Sequence, residues 1–256
     1  MPIKNLDPFD DFLEKLDPNV NPYVQRLKDH TLKGDLPISY GTGLRKYVGK
    51  WRQEMARTGA TLLVQGDQGG CASKEQEPPS SVPLIIEVGC HQGQTLVHMA
   101  QSFPGYKFLG IDITFKRIVG TGEKIARLGL NNAFCALANA QKVSVLFAPG
   151  ELDGVVVFFP DPWIKKARQS KNRLFNGSFV QEIKKALRPG GFVWFKTDQK
   201  IYAEEVFQVL VDAGFAVDPQ VVYPPTMGRD FSSTFEKRFQ EQNLPTYTLV
   251  AHSPVM

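Results

Sequence analysis

The stretch Val155-Val156-Val157-Phe158-Phe159-Pro160-Asp161-Pro162-Trp163 reads as a buried strand that stops at a rigid turn. Five consecutive apolar residues, three of them β-branched, suit a strand covered on both faces. The two prolines stiffen the turn and remove two backbone donors. A residue before proline is held extended, so Asp161 does not simply open a helix. In open α/β sheets, ligands bind at the carboxyl ends of the strands. The turn therefore puts one carboxylate and one indole where a ligand is expected. A fixed carboxylate beside an aromatic plane suits a planar base with N–H donors on its edge. The nine residues from Lys165 to Arg173 then carry five Lys/Arg and no acid, which suits phosphates. Read alone, the same residues equally fit an ordinary turn and a solvated loop.

Upstream and downstream, strand and helix patterns alternate. Leu84–Val88, Lys107–Ile111, Ala133–Leu137, Val155–Phe159, Phe192–Thr197, Phe215–Val222 and Thr246–Ala251 read as strands. Thr95–Ser102, Lys116–Leu128, Ser178–Leu187 and Tyr202–Ala213 read as helices, with Pro189-Gly190-Gly191 as a stop after the third. This order predicts an α/β fold with a mostly parallel, doubly wound sheet. Residues 1–60 are mixed, with short helical patterns. Gly66 to Ser81 is rich in Gly, Ser, Gln, Glu and Pro and is expected to be a flexible linker or surface loop. The chain thus divides into an N-terminal extension, 1–80, and a second domain, 81–256.

The 256 residues are 42% hydrophobic and 11% aromatic, enough for a substantial core. The formal net charge is only +4, so its distribution matters more than its total. A second basic cluster, Arg26 to Arg57, holds eight Lys/Arg against Asp29, Asp35 and Glu54. Polyanion binding and a solvated surface both fit it. Cys71, Cys90 and Cys135 lack C-x-x-C spacing and read as free thiols. No metal site is expected. With no signal peptide and no apolar run of membrane length, a cytoplasmic location is expected.

The first strand of the alternating region ends in Glu87-Val88-Gly89-Cys90-His91-Gln92-Gly93, before a helix. Glycines there let the backbone approach a ligand closely. The loop lacks the G-x-G-x-x-G of a dinucleotide site. An acid at the strand tip also repels a pyrophosphate and favours a cationic small molecule. Asp112, at the end of the next strand, can accept hydrogen bonds from ribose hydroxyls, or can serve as a helix-entry residue. S-adenosylmethionine, with its amino group, sulfonium and adenosine, meets these constraints. Asn139 can hydrogen-bond an adenine edge or cap the following helix. Asp198, after the fifth strand, sits on the same edge as Asp161, or caps the helix beginning near Lys200.

Taken with Thr197-Asp198…Tyr202-Ala203-Glu204 and Thr234-Phe235-Glu236-x-Arg238, these motifs resemble the tRNA (guanine-N7-)-methyltransferases of the bacterial TrmB type. The resemblance covers roughly residues 84–251 and is most specific in the F-P-D-P-W and T-D-x-x-x-Y-A-E elements. It implies a class I, Rossmann-like methyltransferase fold with seven strands, the last antiparallel. S-adenosylmethionine would be the methyl donor. Guanine N7 at nucleotide 46 of the tRNA variable loop would be the acceptor. By position, Glu87, Gly89, Gly93, Asp112 and Asn139 would bind the cofactor. Asp161 would act at the guanine. Asp198, Thr234 and Glu236 would complete the substrate side, and Lys165, Lys166, Arg168 and Arg173 would meet RNA phosphates. Monomer and homodimer both fit the sequence.

The chain departs from the family where His91 replaces the usual middle glycine and Asn139 the usual Asp. Gln169 and Asn172 likewise stand where His and Arg are common. Two other readings stay open. One is an RNA-binding protein of this fold without methyl transfer. The other is a methyltransferase of another RNA or of a small molecule. The basic surface favours RNA over a small substrate.

Overall fold

Eight strands form one sheet: β1 (Ile38–Tyr40), β2 (Leu84–Val88), β3 (Lys107–Asp112), β4 (Ala133–Leu137), β5 (Leu152–Phe158), β6 (Leu187–Thr197), β7 (Ala216–Val217) and β8 (Tyr247–His252). Their spatial order is β1-β4-β3-β2-β5-β6-β8-β7. Neighbours are parallel except that β8 runs antiparallel to both β6 and β7. The structure is a computed structural model. It describes residues 7–11, 15–17, 19, 21–55, 82–163 and 173–255. Cys71 and the stretch 66–81 lie outside the described residues.

The expected α/β class and the antiparallel last strand are present, but the sheet has eight strands, not seven. The addition is β1, from a region whose sequence suggested only short helical patterns. Its three residues pair Ile38 with Cys135 and Tyr40 with Leu137. A strand this short leaves no readable alternation, and only its partner defines it. The sheet therefore includes residues from both sides of position 80.

Two other differences remain: β6 begins at Leu187 and so takes in the Pro189-Gly190-Gly191 expected as a helix stop, and Phe215–Val222 is paired over only a small part of its length. Only Ala216–Val217 pair, with β8. Pro219 has no donor for a ladder. The Asp218 carbonyl accepts from Val221 N at 3.2 Å, closing a turn instead.

Helices α1 (Pro22–Lys33), α2 (Gln94–Ser102), α3 (Phe115–Arg127), α4 (Gly177–Ala186), α5 (Lys200–Asp212) and α6 (Thr234–Glu241) are distributed over the two faces. Strand alternation sets the division. Leu84, Ile86, Val155, Val157, Val193 and Phe195 face a core closed by α4 and α5. Ile85, Val156, Phe192 and Trp194 face the other core, against α1, α2 and α3.

The N-terminal segment is locked into the first core. Trp51 is fully buried, and its Nε1 donates to the Leu146 carbonyl at 2.7 Å. The Glu151 carboxylate accepts from the backbone N–H groups of Gly49 (2.9 Å), Trp51 (3.1 Å) and Ala148 (2.8 Å). Three charge-assisted bonds of this kind satisfy a carboxylate that is almost wholly buried.

Candidate functional site

The carboxyl ends of β2, β3, β4 and β5 open into two adjoining hollows. The first, about 280 Å³, is lined by Gly89, His91, Asp112, Asn139, Phe159, Asp161, Trp163 and Phe235, among others. The second, about 320 Å³, is lined by Glu87, Gly89, Gln94, Thr95, Thr234, Phe235 and Arg238, among others. Gly89, His91, Phe158 and Phe235 border both.

The β2–α2 turn shapes the floor. Gly89 has φ +77° and Gly93 φ +67°, the left-handed region that a side chain disfavours. A Cβ on Gly93 would lie 2.5 Å from Thr121 Cγ2. Gly93 therefore shapes the loop while bordering neither hollow. His91, at φ +51°, holds the same backbone region without being glycine. Such a residue costs about 1–2 kcal/mol unless its surroundings hold it. Here its N–H donates to Asp112 Oδ2 at 3.1 Å, and its ring meets Phe235 edge-on at 5.7 Å. The side chain thus turns onto α6 while the loop keeps a glycine-like path.

Glu87 is 5% exposed, and its Oε2 has no hydrogen-bond partner. Burial pushes its carboxyl up to about 8, with the Asp112 charge adding and a bond to the Leu96 backbone opposing. An orphaned carboxylate oxygen at the edge of a hollow calls for a donor, and an ammonium group supplies one. Asp112 is also buried. Its Oδ1 accepts from Thr114 N at 2.9 Å and its Oδ2 from His91 N and from Arg117 Nη1, the latter at 3.3 Å. A carboxylate has about four lone-pair sites, so room remains for a hydroxyl. Asn139 caps the following 3₁₀ turn, accepting from Gln141 N at 3.0 Å, and still lines the first hollow. Capping and lining the hollow are thus compatible at this position.

Asp161 is exposed at the rim of the first hollow. The turn carrying it has positive φ at both ends, Phe159 at +51° and Trp163 at +46°. Strain of this sort persists only where other contacts impose it, and it gathers at functional sites. Arg173 supplies one such contact. Its Nε donates to the Pro162 carbonyl at 2.6 Å, its Nη1 pairs with Glu205, and its guanidinium lies 5.0 Å from the Tyr202 ring centroid. The sequence reading of Arg173 as a phosphate contact is therefore corrected. At 6% exposure and with these partners, it braces the turn from inside. Lys165, Lys166 and Arg168 lie outside the described residues.

Glu236 needs the same correction. It is 3% exposed, borders neither hollow, and binds Lys196 Nζ through both carboxylate oxygens, at 3.0 and 2.9 Å. Lys196 also donates to Asp230 Oδ1 (2.6 Å) and to the Phe231 carbonyl (3.1 Å). The pair pins α6 to the sheet. The Ser233 side chain caps that helix, accepting from Glu236 N at 3.1 Å. Thr234 lines the second hollow. Asp198 is half-buried at the end of β6, bonded to the Gln199 side chain, and borders neither hollow.

Sequence reading assigned no role to Lys196, nor to Phe235 and Arg238, which stand in the quoted Thr234-Phe235-Glu236-x-Arg238 motif. One signal for Lys196 was legible: it shares the face of Phe192 and Trp194 in an otherwise apolar strand, where an unpaired cation is costly. Phe235 and Arg238 carry no comparable local mark.

The arrangement offers a cationic group a partner at Glu87, a ribose a partner at Asp112, and a planar base a carboxylate at Asp161. The family model described as "Putative methyltransferase" matches residues 81–249. A tRNA (guanine-N(7)-)-methyltransferase of Levilactobacillus brevis is 30% identical over 69% of this chain and 82% of its own length. One of Saccharophagus degradans is 35% identical over 62% of this chain and 70% of its own. Among solved structures, the 16S rRNA methyltransferase KamB superposes with a TM-score of 0.51 at 13% identity, covering 70% of this chain and 90% of its own, a likeness of fold.

Proposed function

Because this chain belongs to the tRNA (guanine-N(7)-)-methyltransferase family, we propose that it transfers a methyl group from S-adenosylmethionine to N7 of a guanine in tRNA. In this reading the acceptor is the variable-loop guanine, nucleotide 46, as the family resemblance implies. The observation that carries the reading is Asp112 and Asp161 on the walls of one hollow, with the orphaned Glu87 oxygen on the wall of the next.

When bound, S-adenosylmethionine supplies an electrophilic methyl on a cationic sulfur. Glu87 and Asp112 hold the donor by its ammonium and ribose. Guanine N7 carries a lone pair and no proton, so no strong base is needed before attack. The protein contributes mainly position, which alone can supply about 7–11 kcal/mol of barrier lowering in favourable cases. Asp161 accepts hydrogen bonds from the guanine edge and so orients N7. As the base becomes cationic, the same carboxylate offsets the developing charge. The target base must leave its stack to reach the rim, at a cost of a few kcal/mol.

Among the described residues, no helix is long and apolar enough to cross a membrane. Action on tRNA fits a cytoplasmic location. The deciding experiment is transfer of radiolabelled methyl to unmodified tRNA, with the product nucleoside identified. The expected product is 7-methylguanosine, absent when the tRNA lacks the variable-loop guanine. Methylation of another nucleotide would overturn the assignment of acceptor. Tight tRNA binding without transfer would favour the binding-protein reading.

A further inference from the structure

One cationic cluster lines neither hollow. Three segments build it: His98 on α2, Arg229 just after the 3₁₀ turn Pro225–Met227, and Lys237 on α6. All three residues are exposed.

Aromatic rings set the position of Arg229. Its guanidinium lies 5.1 Å from the Phe231 ring centroid and 5.8 Å from that of Phe103. The His98 ring meets the same Phe231 edge-on at 5.0 Å. Phe231 is itself fixed. It is buried, its carbonyl accepts from Lys196 Nζ at 3.1 Å, and its N–H donates to Asp230 Oδ1 at 2.8 Å. Tyr106 stacks on Phe103, and its hydroxyl holds the 3₁₀ turn by donating to the Thr226 carbonyl at 2.9 Å. A guanidinium held against rings keeps N–H groups on its edge for an oxyanion.

These charges lack counterions. The acids beside Arg229 and Lys237 in the chain, Asp230 and Glu236, are both taken by Lys196. Among the described residues, Arg229 and Lys237 form no ion pair. Burial, and then the charges of Arg229 and Lys237, hold the His98 imidazole below its ordinary pKa, so the three groups share one field. Like charges placed together destabilise the free protein, and a bound anion relieves them.

The cluster adjoins the site. Residues three or four apart on a helix share a face. His98 follows Gln94 by four positions and Lys237 follows Thr234 by three, and both Gln94 and Thr234 line the second hollow. The cluster thus begins about one helical turn beyond that wall. Cationic groups from three segments, on open surface beside a site, fit a chain of phosphates better than a single small anion.

We propose that Arg229 and Lys237, with His98 beside them, bind backbone phosphates of the RNA strand that carries the target guanine. This rests on tRNA being the substrate. The surface is separate from the Lys165–Arg173 stretch and comes from the C-terminal third of the chain and α2. Phosphate contacts fix register without reading sequence, so the cluster positions the strand while Asp161 meets the base.

The test is equilibrium binding of unmodified tRNA to the full chain over a series of salt concentrations. Arg229→Gln and Lys237→Gln should each reduce the slope of log K against log salt by about one. Each should weaken tRNA about 3- to 10-fold and raise KM for tRNA to match, with kcat at saturating tRNA and affinity for S-adenosylhomocysteine unchanged. His98→Ala should weaken binding less and leave the slope nearly unchanged at pH 8, where the imidazole is neutral. Lys237 stands on exposed helix surface, so its replacement keeps the fold even if that of Arg229 loosens the turn. Lys185→Gln removes the same charge from α4, on the other face of the sheet, and should leave the slope as in wild type. An unchanged slope in Lys237→Gln, or an equal reduction in Lys185→Gln, would overturn this surface and leave the tRNA reading standing. A wild-type chain that binds no tRNA would overturn both.

Discussion

Lys196 Nζ sits 2.9 and 3.0 Å from the two carboxylate oxygens of Glu236, with both residues buried, and this pair joins the last parallel strand to the helix that overhangs the site. Removing one partner of a buried ion pair leaves an uncompensated charge and costs about 3–5 kcal/mol. Replacing both by apolar groups of similar volume is often near neutral. Lys196→Met should therefore lower stability to urea by about that amount. The double variant Lys196→Met/Glu236→Leu should recover most of it. Unfolding curves that are equally shifted for both would show that the pair does not act as a unit.

Arg173 distinguishes a brace from an RNA contact. A phosphate contact contributes about one unit to the slope of log K against log salt. Arg173→Met should leave that slope unchanged, because the guanidinium is buried against Pro162, Tyr202 and Glu205. Methyl transfer should fall while S-adenosylhomocysteine affinity holds, since the displaced turn carries Asp161. A salt slope reduced by one would restore the phosphate reading.

Asp161→Ala should lower kcat by about 10²–10³-fold, the range seen when one preorganised electrostatic contact is lost. Donor binding should be nearly unaffected, because Asp161 is at the rim and makes no part of the β2–α2 loop proposed to hold the donor. Single-turnover transfer with saturating tRNA separates the two effects. Full activity would remove Asp161 from the chemistry.

Glu87 sets a pH dependence of definite sign. Burial raises its folded value from the ordinary 4.5 to about 8. Between these values the folded state binds the proton and the unfolded state does not. Stability is thus greatest at the acidic end of that window and falls as pH rises through it, with a limiting slope of about 1.4 kcal/mol per pH unit. Glu87→Gln should flatten this part of the profile and gain relative stability at pH 8. Thermal melts from pH 5 to 8.5 read it directly. A wild-type profile rising through this window would contradict the buried, unpartnered carboxyl.

Most of the fold was legible because its signals are local. Runs such as Leu84–Val88 and Ala133–Leu137 declare buried strands by composition, and the amphipathic stretches between them declare helices. The strand β1 escaped because three residues have no period, and Phe215–Val222 was overextended because hydrophobicity outlasted pairing. That Glu87, Asp112, Asn139 and Asp161 line the hollows was legible because strand ends mark the open edge of such a sheet. Arg173 and Glu236 were named but given the wrong surroundings.

Residue order alone dictates the alternation of strands and helices, and with it the edge on which the acids at the strand ends must stand, because both follow from neighbours along the chain. Which charges are left for ligands is settled by packing between distant segments. Glu236 meets Lys196 from 40 residues away, and Arg173 meets Glu205 from 32. Pairings at such separations leave no periodic trace. A charge that reads as free in sequence can be fully committed inside, while Arg238, two residues beyond Glu236, is left facing the hollow.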